Sequence, residues 1–341
     1  MKNRTNTAVF FALFAVLFTT SCSHDDSGFI FFDDGGTGND PQGTNLSGSI
    51  FEDTVLDPSL QYRLSGAVVV KAGAKLTIPA GTVIVSEAAQ DRYLAVERGA
   101  QIYVQGTAVA PVVMRSENGN AGDWGGLVIL GDAPTTAGTD VTAEVGGFVY
   151  GGTNAADNSG SIDYLIVRHA GQEINTDSQY NGLSLYAVGS GTTINNIAIL
   201  NGSDDGVEFF GGTVSATNLY FENNEDDSVD WTEGWNGTLT NTYVLHANNN
   251  FSTAIEADGE NLNPKVVNFT AVSTSGGTAL QFKKQSGATI TGLSLTGYGT
   301  SIDYKDNGAP ANVTINGEVS DPLESYTAPA TVAVSMFDWV K

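Results

Sequence analysis

The sequence contains one cysteine, three histidines and nine prolines in 341 residues. A single cysteine excludes an intramolecular disulfide. The histidines show no metal-binding spacing, so a zinc site and Cys–His catalysis are not expected. Serine-triad signatures such as Gly-x-Ser-x-Gly are also missing. The chemistry of the chain must rest on other side chains.

Basic residues are scarce, with 14 Lys and Arg against 38 Asp and Glu and a net charge of −24. A field of this sign repels nucleic acid, anionic lipid headgroups and polyuronates. We therefore expect neutral ligands, cations or basic proteins as partners, and no nucleic acid.

Long hydrophobic runs are absent as well. The apolar run over residues 8–18 is too short to span ~30 Å of hydrocarbon. Two basic residues precede it, and small polar residues lead from it to Cys22, which is the order of a cleavable export signal. Residues 1–21 are predicted to be a lipoprotein signal peptide and Cys22 the lipidation site. Cys22 matches the cysteine of the bacterial lipobox motif, although Thr19 replaces the usual leucine of that motif.

Residues 22–45 are rich in Gly, Asp and Asn and show no helical or strand period, which predicts a flexible tether behind the lipid. The acidic stretch directly after Cys22 resembles the surface-export signal of lipoproteins from the Bacteroides group. This resemblance implies the outer face of the outer membrane as the location.

The rest of the chain repeats one block: a segment of alternating apolar residues, a polar turn and a short apolar-x-apolar segment. The longer segments span residues 192–200, 213–221, 238–246, 265–273 and 288–296. The middle residues of the short segments, separated by 22, 26, 25 and 22 positions, are Glu208, Asp230, Glu256, Gln281 and Asp303.

Short strands that recur with this period are typical of a solenoid whose coils stack on a shared core. The prediction is a single-stranded right-handed parallel β-helix over residues 46–341, with coils of about 22–26 residues. An immunoglobulin-like sandwich would show strand alternation without the longer repeat. Aromatic residues within 335–341 are expected to plug the exposed last coil.

Three segments of the sequence carry a family resemblance: GGTNAADNSGSIDYLIVRHAG, NGLSLYAVGSGTTINNIAILNGSDDGVEFFGG and NNEDDSVDW. From about Tyr62 onward the chain resembles a family of β-helix surface lipoproteins of Bacteroidota. The resemblance implies a fold and a cell-surface location, not a reaction. Some β-helix lipoproteins of this phylum accompany outer-membrane nutrient importers, and an importer is the expected partner by analogy.

Acidic turns repeat in two successive coils, 22 residues apart. Stacked coils lie ~4.8 Å apart, where like charges repel by roughly 1 kcal/mol in water. The turns therefore predict a calcium site on Asp204, Asp205, Asp226 and Asp227. The alternative is that Asp and Asn occupy these turns because they tolerate tight conformations. The middle residues of the short segments are expected to point outward as a ladder.

The same four aspartates are the candidates for acid and base in the alternative function, a polysaccharide-degrading glycoside hydrolase or lyase. The Gly-His-Gly and Arg-x-Lys partners of polygalacturonase-type enzymes are missing. A lyase needs a basic residue beside calcium, for which Arg168, Lys283 and Lys284 are the candidates.

Aromatic residues in successive coils suggest a surface for a glycan or peptide. The ligand-binding residues predicted there are Glu208, Asp230, Trp231, Trp235 and Phe210. Trp235 and Phe210 are expected to be exposed. The sequence thus favours a non-enzymatic binding module at the outer-membrane surface, with calcium as the expected cofactor.

Overall fold

The computed structural model describes residues 44–176 and 178–341. The predicted signal peptide, Cys22 and nearly all of the predicted tether lie outside these residues. Most strands join one assembly in which nearly every strand pairs in parallel with strands of the neighbouring coils. The predicted right-handed parallel β-helix is confirmed. Within the described ranges, no helix has the length and hydropathy needed to cross a bilayer.

Three parallel sheets, called faces A, B and C, form the sides of the solenoid. Face A contains the later parts of β1 (Asn45–Ile50) and β3 (Gln61–Val70), followed by β6 (Leu94–Val96), β9 (Leu127–Leu130), β15 (Leu183–Tyr186), β17 (Val207–Phe210), β19 (Val229–Thr232), β21 (Ile255–Ala257), β23 (Thr278–Lys283) and β25 (Thr300–Lys305).

Faces B and C share the long strands of the second half. Face B begins with the first parts of β1 and β3, followed by β5 (Val83–Ser86) and β8 (Val112–Ser116). Face C begins with β2 (Thr54–Val55), β4 (Lys75–Pro79) and β7 (Gln101–Gln105) and ends with β26 (Val313–Ile315). The shared strands are β12 (Gly160–Arg168), β16 (Thr193–Leu200), β18 (Ser215–Glu222), β20 (Thr238–His246), β22 (Lys265–Ser273) and β24 (Ala288–Thr296).

Each shared strand bends at one residue, so that its first part lies in face C and its last part in face B. In four successive strands this residue is an asparagine with φ between 53° and 60°, a left-handed conformation that asparagine tolerates. Nδ2 of Asn218, Asn241 and Asn268 each donates to Oδ1 of the preceding asparagine at 3.0 Å. Asn196 donates to Asp163 at 2.7 Å. We call this row the asparagine ladder.

The inward residues of all three faces form one continuous apolar core along the solenoid. Phe209, Phe221 and Phe282 are fully buried in it. Because each coil is one layer thick, its inward side chains are covered only when neighbouring coils stack on it. The fold thus depends on all coils together.

Two insertions interrupt the early coils. The first carries β10 (Val141–Thr142) and β11 (Val149–Tyr150), and the second carries β13 (Glu173–Asn175) and β14 (Ser178–Gln179). Both pairs are antiparallel. The insertions pack in a second apolar cluster on the outer side of face A, which includes Tyr93, Val145, Tyr150, Tyr180, Tyr186 and Phe210.

The C-terminal segment does not plug the last coil, contrary to the sequence prediction. The 3₁₀ helix Val334–Val340 lies on the outer side of face B, where Phe337 and Val340 pack on Ile166 and Tyr220. These apolar residues point outward and need a cover, which explains the position of the segment. The edge of β26 pairs instead with the short antiparallel β27 (Glu318–Val319), next to a 3₁₀ turn at Pro310–Asn312.

Candidate functional site

The candidate site is a recess on the outer side of face A. The strand register places Glu208 beside Asp230, Asp230 beside Glu256, and Glu256 beside Gln281. Gln281 in turn pairs with Asp303. Glu208, Asp230, Glu256 and Gln281 line the recess and lie outside the apolar core, which confirms the predicted outward direction for these four residues. The ladder is not open to solvent along its length, however, because Glu256 is 8% and Gln281 3% exposed.

Four aspartates from two stacked turns border the ladder. Asp205 Oδ1 accepts the backbone N–H of Asp227 at 2.9 Å, which ties one turn to the next. Asp227 Oδ1 accepts the hydroxyl of Thr253 at 2.6 Å. Asp204 and Asp226 lie at the same levels and line the recess. The structure thus brings together the four residues that the 22-residue repeat selects.

The recess has a volume of about 490 Å³. Its lining residues are Glu144, Gln179, Asp204, Asp205, Glu208, Asp226, Asp227, Asp230, Ser252, Glu256, Gln281, Lys283 and Lys305. Among the described residues, this lining contains eight carboxylates, two lysines and no aromatic side chain. The arrangement concentrates negative charge in a small volume.

Three groups of carboxylates within the recess have the spacing of a cation site. In each group, one oxygen from each of three residues lies within 4.8 Å of the others. The groups are Asp204, Asp205 and Asp226; Asp205, Glu208 and Asp230; and Asp227, Asp230 and Glu256. Oxygens that bind calcium at about 2.3–2.6 Å lie no farther than about 5 Å from one another. A calcium ion therefore fits the donor type and spacing.

Burial and mutual repulsion raise the pKa values of these carboxyl groups. Burial, followed by the charge of Asp226, raises the pKa of Asp204 to about 7. Burial, followed by the charge of Glu256, raises the pKa of Asp230 to about 8. The same two causes raise the pKa of Asp205, Glu208 and Asp227 well above the ordinary range. Protons or metal ions must balance this charge.

One of the three predicted basic candidates reaches the recess. Lys283 lines it and donates to Oε1 of Glu256. Lys284 pairs with Asp258 at 3.0 Å and does not line the recess. Arg168 belongs to face B, where it donates to the carbonyl of Val340 at 3.2 Å. Lys305, which the sequence did not single out, also lines the recess.

Sequence reasoning also missed two lining residues that come from the insertions. Glu144 is flanked by the buried Ala143 and Val145, so the backbone on both sides is fixed in the second apolar cluster. The hydroxyl of Tyr186 donates to Glu144 at 3.4 Å. Gln179 lies at the end of the second insertion. Neither belongs to the coil repeat, so no periodic signal marks them.

The predicted aromatic surface is wrong. Trp235 is fully buried, stacks on Phe209 at 4.3 Å and donates its indole N–H to the carbonyl of Val214 at 3.0 Å. Trp231 is 3% exposed and faces the core.

Phe210 does point away from the core, but the first insertion covers it, and it stacks on Tyr186 at 4.0 Å. These three aromatic side chains are inaccessible to a surface ligand. Of the five predicted ligand-binding residues, only Glu208 and Asp230 line the recess.

Comparison with protein families agrees with this architecture. The family model of the pectate-lyase-like β-helix domain matches residues 48–323. The chain belongs to this family. The match includes every strand of the pectate-lyase-like β-helix except the start of β1, and it includes the whole recess. No curated protein matches the chain. Membership in the family fits a binding module and a polysaccharide-degrading enzyme equally well.

Proposed function

We propose that the protein is a non-enzymatic binding module whose acidic recess binds calcium. The observation that carries this proposal is the set of three carboxylate groups with oxygens within 4.8 Å of one another. In the part of the chain that the structure describes, only Lys283 and Lys305 oppose eight carboxylates in the recess. Calcium prefers an all-oxygen environment and accepts irregular geometry, which suits ligands taken from stacked turns.

The recess suits a cation better than a sugar. Carbohydrate and drug-sized ligands usually bind against apolar or aromatic side chains. Within residues 44–176 and 178–341, the lining of the recess is almost entirely charged or amide side chains. Phe210, Trp231 and Trp235, the aromatic residues predicted to bind a ligand, are buried.

Thermal unfolding of the secreted chain, with Cys22→Ser to prevent lipidation, tests calcium binding. A ligand that binds only the folded state stabilises it by about 2.7 kcal/mol at 100 times its dissociation constant. We expect calcium to raise the unfolding temperature, magnesium to raise it less, and a chelator to reverse the effect. No shift with calcium would contradict the proposal.

Two variants test whether the rise in unfolding temperature with calcium depends on the carboxylates of the recess. The double variant Asp205→Asn, Asp227→Asn keeps oxygens that accept the hydrogen bonds from the Asp227 backbone and Thr253, but it removes two charges. We expect it to lose the calcium response. The matched control is Glu225→Gln, which removes a charge from the same turn but not from the recess lining, and it should respond as the unmodified chain does.

We further propose that residues 1–21 are a signal peptide, that Cys22 is lipidated, and that residues 22–45 tether the β-helix to the outer membrane at the cell surface. The order of charged, apolar and small residues before Cys22 supports this proposal. Metabolic labelling with a lipid analogue should mark the chain and not its Cys22→Ser variant. Protease treatment of intact cells should degrade a surface-exposed β-helix, and a chain that stays protected is not on the surface.

The net negative charge of the chain favours cations and basic proteins as partners over nucleic acid. The family resemblance to surface lipoproteins favours an outer-membrane nutrient importer, for which the chain would act as an accessory. Crosslinking in intact cells followed by mass spectrometry should recover an importer subunit. Recovery of the lipoprotein without a membrane partner would contradict this association.

A polysaccharide lyase is the second candidate function. It is favoured by one observation, the position of Lys283 inside the acidic recess and in contact with Glu256. A lysine beside a bound cation could remove a proton from a uronate, while Asp204, Asp205, Asp226 and Asp227 would hold the metal. Incubation of the calcium-loaded chain with polyuronates should then produce unsaturated chain ends, which absorb ultraviolet light. Lys283→Met should abolish that product. If the unmodified chain yields no such product, a lyase function is excluded.

A further inference from the structure

The three carboxylate groups of the recess form a row along the solenoid. The first group, Asp204, Asp205 and Asp226, shares no residue with the last group, Asp227, Asp230 and Glu256. The middle group takes Asp205 from the first, Asp230 from the last, and adds Glu208. Two ions can therefore be held by separate ligand sets at the same time.

We propose that the recess holds two divalent cations side by side, one in the first group and one in the last, with Glu208 between them. This inference rests on the proposed calcium binding and specifies its stoichiometry. Stacked coils are ~4.8 Å apart. Paired metal ions in proteins lie about 3.5–4 Å apart when carboxylates bridge them. The coil spacing is thus close to the spacing of a paired metal site.

Charge balance favours two ions over one. Eight carboxylates and two lysines line the recess. With all of them ionised, one divalent cation leaves four negative charges unbalanced, and two cations leave two. The remaining repulsion between neighbouring coils falls accordingly.

Among the residues that the structure describes, two buried oxygens at these groups lack a hydrogen-bond donor, one on Asp230 of the middle and last groups and one on Asn181, which contacts Glu208. The side chain of Asp230 is buried, and its Oδ1 has no hydrogen-bond partner among the described residues. Asn181 is 1% exposed and donates its Nδ2 to Oε2 of Glu208 at 2.9 Å. Its own Oδ1 also accepts no hydrogen bond within the described part of the chain. A buried oxygen without a donor is unfavourable, and a cation in the recess would satisfy that of Asp230, which lines it.

Native mass spectrometry combined with calcium titration calorimetry tests the proposal on the chelator-treated Cys22→Ser chain. We expect two calcium ions per chain. Asp204→Asn should remove the ion of the first group and leave one, and Glu256→Gln should remove the ion of the last group and leave one. Glu225→Gln is the matched control and should keep two. Circular dichroism of each variant verifies that the β-helix is folded before binding is compared.

The results distinguish failure of the paired site from failure of calcium binding itself. One ion in the unmodified chain overturns the paired site and leaves the calcium proposal intact. Loss of all binding in either folded single variant also overturns it, because the two groups would then form one site. If the unmodified chain binds no calcium, both the paired site and the proposed function fail.

Discussion

The carboxylates of the recess differ from ordinary surface carboxylates because the neighbouring coils and insertions exclude water from them. Asp230 lies between Glu208 and Glu256 in the strand register. It therefore meets a like charge on either side while its own solvation is reduced. Both effects favour the protonated form, and both raise its pKa.

The raised pKa values predict an unusual pH dependence of stability in the metal-free protein. Between the ordinary aspartate pKa of 3.8 and the folded-state values of about 7 for Asp204 and about 8 for Asp230, the folded state binds more protons than the unfolded state. Stability must then fall as pH rises through this range. With a chelator present, we expect the unfolding temperature to decrease from about pH 5 to about pH 9.

Differential scanning calorimetry measures this pH dependence. Saturating calcium should weaken or reverse the decrease, because the metal replaces protons as the balancing charge. A flat or rising profile in chelator would show that the recess carboxylates titrate as exposed groups.

Substitution of Trp235 tests whether its ring is buried in the core, as the structure shows, or exposed, as the sequence predicted. Because its ring is buried against Phe209, Trp235→Ala should leave a cavity and lower the free energy of unfolding by about 3–5 kcal/mol. Urea denaturation measures the loss. Trp339→Ala in the half-exposed C-terminal segment is the control and should have a smaller effect. A near-neutral Trp235→Ala would place the ring at the surface after all.

At the scale of the structural element, the asparagine ladder fixes the bend between faces C and B. Asn218 donates to Asn196 and accepts from Asn241, each at 3.0 Å. Asn218→Gly keeps the left-handed bend but loses both hydrogen bonds, for an expected loss of about 2 kcal/mol. Asn218→Ala should be worse by a further ~1 kcal/mol because alanine is strained at the positive φ.

Chemical denaturation of the two variants separates the hydrogen bonds from the strain. Equal stability of the Ala and Gly variants would mean that the backbone relaxes at the bend. No loss in the Gly variant would mean that the ladder hydrogen bonds add nothing to stability.

The strands with a strong inward–outward alternation were predictable from the sequence. The predicted segments 265–273 and 288–296 coincide with β22 and β24. A shift by one residue would turn every apolar side chain outward, so the pattern determines the register. The same repeat placed the four aspartates of the two turns together.

The remaining site residues could not be predicted because their positions depend on contacts between distant parts of the chain. Phe210 occupies an outward position, and only the first insertion buries it. Glu144 reaches the recess from that insertion, outside the coil repeat. Periodicity describes the solenoid, but it carries no information about what packs on its outer side.

At the scale of the whole molecule, the C-terminal segment packs on the outer side of face B and stabilises it. It covers outward apolar residues of three strands, including Ile166, Leu200 and Tyr220. A chain ending at residue 320 should lose several kcal/mol, since burial of each large apolar side chain contributes about 1.5–3 kcal/mol. Its unfolding temperature should fall, and it should bind an apolar fluorescent dye.

Deletion of Lys341 alone is the control, because it leaves Phe337 and Val340 in place. If the chain ending at residue 320 is as stable as the full chain and binds no dye, the segment does not hold the surface together.

The asparagine ladder also has a direction. Every amide donates toward the earlier coil, so the side-chain dipoles align head to tail along the solenoid axis, as backbone dipoles do in an α-helix. The positive pole of this array rests on the carboxylate of Asp163. At the opposite pole, the oxygen of Asn268 faces Gly292, which occupies the equivalent position in the next strand and has no side-chain amide to continue the row. The two ends of the asparagine ladder are therefore electrically different, although the backbones of its coils are alike.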